Sequence, residues 1–233
     1  MSSPQYVRIK EALRTKISQG ILSPGDRVSS ENQLAAMFSV SRMTARRALL
    51  ELEEDGVLLR TQGLGSFVAD TRPMSSITQI RNIAEEIDQR GHEHSSRVLL
   101  HAQISADSNC AINLGLKTGD HIFHSVLLHM EDGEPIQHES RYVNPAMAPD
   151  YLGQTFIGET PSAYLSAVAP LTEADQSVEA IIAAADIVKA LKIRKQAPCL
   201  RITRRTFSDR GAVSLAILIH PGDRYRLGSH INF

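Results

Sequence analysis

Apolar residues recur every three or four positions in the first part of the chain, a spacing that predicts three short amphipathic helices. The stripes are Tyr6, Ile9, Leu13 and Ile17, then Leu34, Ala35 and Phe38, then Ala45, Ala48, Leu49 and Leu52. The first helix is expected to end near Gly20. Ser30, with Gln33 three residues later, forms a capping-box pattern for the second helix, and Ser41 is a good N-cap for the third.

A glycine-centred hairpin is predicted directly after the third helix. Residues 58–61 and 66–69 have the pattern of two short strands around Gln62-Gly63-Leu64-Gly65. The two glycines permit positive φ and a narrow tip, which can approach a groove without side-chain clash. Glycine-rich turns also occur in ordinary hairpins. The position of this hairpin directly after the third helix is what indicates a wing.

The third helix carries three arginines, with no acidic residue between Glu31 and Glu51 to neutralise them. At about 100° per residue, the side chains turned away from the apolar stripe are Arg42, Met43, Arg46 and Arg47. Arginine can bond bidentately to guanine, and the Ser41 and Thr44 hydroxyls suit phosphate oxygens. An isolated helix of this kind could equally be a solvated face. The capped helix before it and the hairpin after it favour a winged helix-turn-helix that binds DNA.

The stretch from Tyr6 to Ala69 resembles the N-terminal domain of the GntR family of bacterial transcriptional regulators. The likeness rests on PGDRVSSENQLA at 24–35, VSRMTARRAL at 40–49 and QGLGSFV at 62–68. It implies base contacts from Arg42, Arg46 and the wing tip at Gly65. The phosphate or supporting contacts that it implies are Arg27, Ser41, Thr44, Arg47 and Gln62, with Gly63 in the same wing. The departures from the family pattern are Ser29 for proline, Leu64 for a frequent wing arginine, and Ser66 for threonine.

Strand and helix patterns alternate in the second part of the chain. The predicted strands are 96–104, 121–130, 136–143, 198–208 and 213–220, with a turn at 132–135. The predicted helices are 107–114, 161–168 and 184–193. Long strands joined by hairpins, with helices beside them, predict an α+β domain on an antiparallel sheet.

This second part resembles the UTRA effector-binding domain of the HutC subfamily, which has a chorismate-lyase-like fold. The likeness rests on LKTGD at 116–120, DGEPI at 132–136 and HPGDRY at 220–225. A closer likeness, at 137–145, 148–152, 160–165 and 224–228, is to the subfamily's repressors of histidine-degradation genes, and it implies urocanate as effector. The expected domains are a winged helix-turn-helix at 1–70, a polar linker at 71–80, and a UTRA effector-binding and dimerisation domain at 81–233.

Urocanate has a carboxylate, a flat conjugated chain and an imidazole, so its pocket needs a cationic end, apolar or aromatic walls and a hydrogen-bonding group. The candidate residues are Arg97, His129, Glu139, Arg141, Tyr142, Tyr164 and Tyr225. Glu139 and Arg141 share one face of an extended strand and could equally form a structural ion pair. His129 could equally face solvent, and Tyr164 and Tyr225 could be core tyrosines. Ser214 stands where an amino-sugar-sensing relative is expected to have glutamate, which disfavours a sugar phosphate.

Composition fits a two-domain intracellular regulator. The net charge of −1 divides into +1 for residues 1–70 and −2 for the remainder. DNA affinity must therefore come from local placement of charge and from two copies acting together. No membrane span or leader is recognised, so we expect a soluble, cytoplasmic homodimer that reads a pseudo-palindromic operator. Cys110 and Cys199 lack metal-ligand spacing and are expected to be buried free thiols.

An enzyme is the main alternative class of function. His92, Glu93 and His94 could be metal ligands, but no second cluster of matching spacing follows, so a polar loop is the favoured interpretation. No nucleophile-elbow, P-loop or dinucleotide motif is present. We therefore expect a repressor with no catalytic residue, metal or cofactor. The alternatives are a repressor that responds to another metabolite, such as an amino-sugar phosphate, and, less favoured, a chorismate-lyase-type enzyme.

Overall fold

The computed structural model describes residues 4–70, 72, 74–76 and 80–228. The chain divides into two compact units, Met1–Thr71 and Arg72–Phe233. Each unit has its own hydrophobic core.

The first unit is a three-helix domain followed by a hairpin. Its elements are α1 (Gln5–Ser18), α2 (Glu31–Phe38), α3 (Arg42–Glu54), β1 (Leu58–Thr61) and β2 (Gly65–Val68). The predicted caps are confirmed. The Gln33 N–H donates to Ser30 Oγ at 3.3 Å while the Ser30 N–H donates to Gln33 Oε1 at 2.8 Å, and Ser41 Oγ accepts from the Thr44 N–H at 3.1 Å.

The predicted apolar stripes of the three helices meet in one core. Ile9 and Leu13 of α1 pack with Leu34 of α2 and Leu52 of α3, all at most 4% exposed. β1 and β2 form an antiparallel pair in which Leu58 opposes Val68. The predicted winged helix-turn-helix is therefore present, with its second strand one residue earlier than expected.

The second unit is built on a six-stranded antiparallel sheet in the order β4-β5-β6-β9-β8-β7. Its strands are β4 (His94–Ser105), β5 (His121–Glu131), β6 (Glu134–Val143), β7 (Glu173–Ile182), β8 (Pro198–Ser208) and β9 (Gly211–Pro221). A separate parallel pair joins β3 (Met74–Ser76) to β10 (Arg226–Gly228).

Helices cover both faces of the large sheet. They are α4 (Ile83–Gln89), α5 (Ser108–Leu114), α6 (Pro161–Val168) and α7 (Ala185–Ala190), and a short 3-10 turn spans Tyr151–Gly153. α4 and α6 pack on the face that carries Leu127, Ala216 and Leu218. α5 and α7 pack on the opposite face, which carries Leu215 and Ile219. The α+β expectation is confirmed.

Three elements of this unit were not predicted: α4, β7 and the β3–β10 pair. α4 has only seven residues, and β7 is an edge strand whose side chains are mostly exposed, so both lack a strong apolar pattern. The linker expectation is wrong for Met74–Ser76, because these residues pair with a strand far away in sequence. Residues 71, 73, 77–79 and 229–233 lie outside the described part.

Candidate DNA-binding surface and effector cavity

The start of α3 presents the predicted DNA-contacting side chains to solvent. Arg42, Arg46 and Arg47 are exposed, and Arg42 has 68% of its side chain accessible. The Ser41 and Thr44 hydroxyls lie 2.9 Å apart, so the first turn of the helix fixes their positions.

The three arginines differ in what holds them. Arg42 Nε donates to Glu31 Oε2 at 2.8 Å. Arg47 Nε donates to Glu51 Oε1 at 2.9 Å, and its guanidinium carbon lies 3.9 Å from the centre of the Tyr6 ring. Arg46 makes no ion pair or hydrogen bond with any other residue that the structure describes. Arg46 is thus the arginine best placed to turn to a base edge, whereas Arg47 already has two partners.

Arg47 belongs to a charge network that joins α1 to α3. Lys10 Nζ lies 2.9 Å from Glu51 Oε2 and 3.1 Å from Asp55 Oδ2, and Arg14 lies 2.8 Å from the same Asp55 oxygen. Hydrogen bonds from Lys10 and then from Arg47 hold the pKa of Glu51 below its usual range. The network orients the side of α3 that faces α1.

The wing is positioned by contacts that the sequence did not indicate. Ser66 Oγ donates to Glu53 Oε1 at 2.9 Å, which ties β2 to α3. Gly65 has φ +114°, and a Cβ there would lie 3.2 Å from Arg27 Nε. Glycine at this position therefore lets the Arg27 guanidinium lie against the wing. Gln62, Gly63 and Leu64 are exposed at the tip.

Buried polar side chains run across the face of the large sheet that α4 covers. The members of this polar stripe are Ser125, His129, Gln137, Glu139, Arg141, Arg204, Thr206, Ser214 and His220. Strand pairing brings them together, since Arg141 opposes Ser125 on one side and Ala216 on the other, and Ala216 in turn opposes Arg204. Buried polar groups are expensive unless they are paired, so this stripe calls for a functional explanation.

Glu139 and Arg141 form a buried ion pair at its centre. Arg141 Nε donates to Glu139 Oε1 at 2.7 Å, and Nη1 donates to Ser214 Oγ at 3.0 Å; both charged residues are 3% exposed. Burial alone raises the pKa of Glu139, but the charge of Arg141 and contact with His129 hold it below the usual range. The ion-pair interpretation is correct, and both side chains also line a cavity.

His129 is buried and does not face solvent. Its Nε2 lies 3.4 Å from Glu139 Oε2, and its Nδ1 lies 3.1 Å from Nε2 of His94. Burial, and then the neighbouring His129, lower the pKa of His94 to about 4. His94 is the first residue of β4 and contacts His129 of the polar stripe. The polar-loop interpretation is therefore wrong at this residue.

Arg204, Gln137 and His220 were not singled out from the sequence, yet all three line the cavity together with the predicted Tyr225. Arg204 Nε donates to Gln176 Oε1 at 2.9 Å, and the Gln137 amide nitrogen lies 3.1 Å from His220 Nε2. The His220 and Tyr225 rings stack with centroids 3.7 Å apart, and burial lowers the pKa of His220 to about 3. Alternating polar residues along β6, β8 and β9 are the signal that could have found them.

Four predicted effector residues are not part of the cavity lining: His129, which lies beside Glu139, and three that lie farther from it. Arg97 is exposed and opposes Leu128, which points to the opposite face of the sheet. Tyr142 lies on that face too, stacked on His124 with centroids 4.4 Å apart. Tyr164 packs in the core with Tyr151 and Phe156.

The cavity is small and has an open neighbour. Its volume is about 20 Å³, enough for about one water molecule. An adjoining groove of about 600 Å³ shares Arg81, Asn82 and Ser162 with it. The Gln137 side-chain oxygen is buried and has no hydrogen-bond partner among the described residues.

The described residues contain no group of three or more His, Cys, Asp or Glu side chains placed to hold a metal ion. His92 instead lies 2.7 Å from a carboxylate oxygen of Glu131. Within the same part of the chain, no helix is long and apolar enough to cross a membrane.

Residues 5–68 match the family described as bacterial regulatory proteins, gntR family, and residues 89–226 match the UTRA domain. The chain belongs to the GntR family. It is 48% identical to the histidine utilization repressor of Pseudomonas putida, over 97% of this chain and 91% of that protein. It is 46% identical to the repressor of the same name from Klebsiella aerogenes, over 97% and 93%.

A solved structure of the C-terminal domain of a histidine utilization repressor, from Pseudomonas syringae pv. tomato, also resembles the second unit. It is 47% identical with a TM-score of 0.59, and the match covers 60% of this chain and all of that one. The stripe and the cavity therefore lie in a UTRA domain of a GntR-family transcriptional regulator.

Proposed function

We propose that this protein represses histidine-utilisation genes in the cytoplasm and leaves its operator when urocanate binds to the second unit. The two histidine utilization repressors, at 46% and 48% identity over nearly the whole chain, support the target genes. Urocanate is inferred as the effector from the chemistry of the cavity and from the resemblance of the sequence to HutC-subfamily repressors of histidine-degradation genes.

The single observation that carries the proposal is an excess of buried positive charge in the cavity. Arg141 and Arg204, at 3% and 8% exposed, face one fully buried carboxylate, Glu139. Burial first, and the charge of Arg141 second, lower the pKa of Arg204, as expected for a cation without its own anion. Glu86 also lines the cavity, but it is only half-buried, its carboxylate accepts a hydrogen bond from Ser75, and within the described part of the chain it forms no ion pair with Arg204.

A ligand with one carboxylate would supply the missing negative charge. Arginine binds carboxylates bidentately, and the Arg204 guanidinium donates to the neutral side chain of Gln176. The orphan Gln137 oxygen can accept a hydrogen bond from an imidazole N–H. Urocanate carries both groups on a flat frame.

Binding would require the cavity to open. A space of about 20 Å³ cannot hold urocanate, so we infer that α4, which closes it, moves toward the adjoining groove. α4 is the first helix of the second unit in the chain, so its displacement is the step that we propose is transmitted to the DNA-binding unit.

We further propose that two copies act together on a pseudo-palindromic operator. A single recognition helix reads only a few base pairs, so specificity requires two half-sites at the spacing that a dimer sets. The ligand is bound and released unchanged.

The test is a DNA titration with and without urocanate, using a duplex selected by the protein from random sequences. Urocanate should lower DNA affinity by about 5- to 150-fold, and DNA should lower urocanate affinity by the same factor. Arg204→Met should lose this response but keep DNA binding without ligand. Arg201→Met, on the same strand with an exposed side chain paired to Glu179, is the matched control.

Histidine, imidazole propionate and an amino-sugar phosphate are the competing ligands in the same titration. If one of them lowers the DNA affinity of the wild-type protein and urocanate does not, that ligand replaces urocanate as the proposed effector. A response of Arg204→Met equal to that of the control would remove Arg204 from the site.

A further inference from the structure

A pocket in the first unit is lined by Arg42, a predicted base contact of α3, and by two arginines that do not lie on α3. It has a volume of about 210 Å³ and lies between the wing, the segment before α2 and the start of α3. Its walls include Arg27, Arg42 and Arg60, with Glu31 and Gly65 beside them. Arg60 was not among the residues that the sequence pointed to.

The charges of the pocket do not balance. Three guanidinium groups and one carboxylate, that of Glu31, line the pocket. Arg42 Nε donates to Glu31 Oε2 at 2.8 Å, so this carboxylate is already paired. Arg27 and Arg60 are exposed and make no ion pair or side-chain hydrogen bond with the residues that the structure describes. Two neighbouring cations without anions form a site that favours an anion.

Backbone pairing holds both of these arginines in place. Arg60 lies on β1 opposite Ser66, and Arg27 forms an isolated antiparallel bridge with Phe67 of β2. The Arg27 side chain also lies against Gly65, where a Cβ would come within 3.2 Å of Nε. Backbone pairing to β2 therefore fixes the positions from which both guanidinium groups extend.

We propose that this pocket binds one phosphate of the DNA backbone, with Arg60 and Arg27 as its ligands. A phosphodiester carries one negative charge and two oxygens that can each accept from a guanidinium fork. Such a contact fixes the register of the unit on the duplex and carries no sequence information. The inference rests on the DNA-binding part of the proposed function and is independent of the effector.

The first test compares Arg60→Gln with Arg14→Gln in the full chain. Arg14 is an exposed arginine of α1 whose partner Asp55 follows the C-terminal end of α3, away from the pocket. On a scrambled duplex of about 30 base pairs, long enough for two half-sites, Arg60→Gln should weaken binding about tenfold for each DNA-binding unit, or head, that contacts the duplex. The slope of log affinity against log salt should fall by about one per head. Arg14→Gln should change neither.

The second test locates the phosphate. Each phosphate of a duplex selected by the protein is replaced in turn by an uncharged methylphosphonate. Wild type should lose affinity at one position in each half-site where Arg60→Gln loses none. Circular dichroism melting of each variant checks that the fold is kept.

The outcomes separate the two proposals. If wild type binds no duplex, the DNA-binding proposal fails. If wild type binds and Arg60→Gln matches Arg14→Gln in slope, or shows the wild-type methylphosphonate pattern, the phosphate pocket is refuted while DNA binding stands.

Discussion

The two units hold their candidate binding residues in opposite ways. In the first unit the arginines of α3 and of the wing are exposed, and Arg46 has no partner among the described residues. In the second unit the polar stripe is buried and mostly paired within itself, with Glu139 and Arg141 each 3% exposed. DNA can therefore dock on a surface that is already formed, whereas an effector must first break or rearrange contacts that stabilise the fold.

Titratable groups divide in the same way. All nine histidines lie beyond residue 71, and several of them contact the polar stripe or its neighbours. The DNA-binding unit contains no histidine, while in the second unit burial lowers the pKa of His220 to about 3, so that protonation of this side chain favours the unfolded chain. Changes of pH and mutations in the polar stripe should consequently act on the stability of the second unit, whereas mutations of the exposed arginines should act mainly on DNA affinity.

The largest effect is expected from Arg141→Ala. Removing this guanidinium leaves the Glu139 carboxylate buried without its cationic partner, which should lower the free energy of unfolding by about 3–5 kcal/mol. The double variant Glu139→Gln with Arg141→Met removes both charges and should recover most of the loss. Urea unfolding at pH 7.5, followed by far-UV circular dichroism, measures both.

A single variant as stable as wild type would show that the pair is not held in a low-dielectric site. If the prediction is met, the charge-balanced double variant is the right protein for asking whether Arg141 contacts urocanate, because the single variant confounds ligand loss with unfolding.

The second effect is a loss of stability as the pH falls. His220 has a folded-state pKa of about 3, against about 6.5 for an exposed histidine. Between these values the unfolded chain binds a proton that the folded chain excludes, so stability falls with falling pH by about 1.4 kcal/mol per unit. His94, with a pKa of about 4, acts in the same direction and more weakly because it is only half-buried.

Calorimetric scans of the full chain at about pH 6.5 and 5 should show the transition of the second unit moving down while that of the first unit stays. His220→Gln should flatten this dependence, and His121→Gln, which alters an exposed histidine, should leave it unchanged. Equal slopes for the two variants would contradict the assignment to His220.

What the sequence could predict follows the range of the interactions. Caps at Ser30 and Ser41 and the stripes of α1 to α3 are local, so the first unit was predicted almost to the residue. The cavity draws on β6, β8, β9 and α4 together, and no local pattern links Arg204 to Arg141. Arg97 was predicted to face the effector, but its neighbour Ser96 is the residue that opposes the buried His129. Because side chains alternate along a strand, a difference of one residue places Arg97 on the opposite face of the sheet.

The third effect is on operator recognition. Arg46→Ala should weaken binding to the selected operator by about 1–3 kcal/mol and weaken binding to scrambled DNA much less, since a bidentate base contact is lost. Competition titrations with the two duplexes give the specificity ratio. Equal losses on both would show that Arg46 contacts a phosphate and reads no base.

The smallest effect separates Arg47 from its neighbour. The sequence treats Arg47 as a phosphate or supporting contact, but the structure ties it to Glu51 at 2.9 Å and to the Tyr6 ring at 3.9 Å. If these contacts persist on DNA, Arg47→Ala should lower the melting temperature of the first unit by roughly a few degrees and leave the salt slope of DNA binding unchanged. Glu51→Gln removes one of the same partners without removing a cation, so it should lower the melting temperature in the same direction. A salt slope that falls by about one for Arg47→Ala and not for Glu51→Gln would mean that DNA draws Arg47 out of the network, and that the exposed surface is rearranged on binding after all.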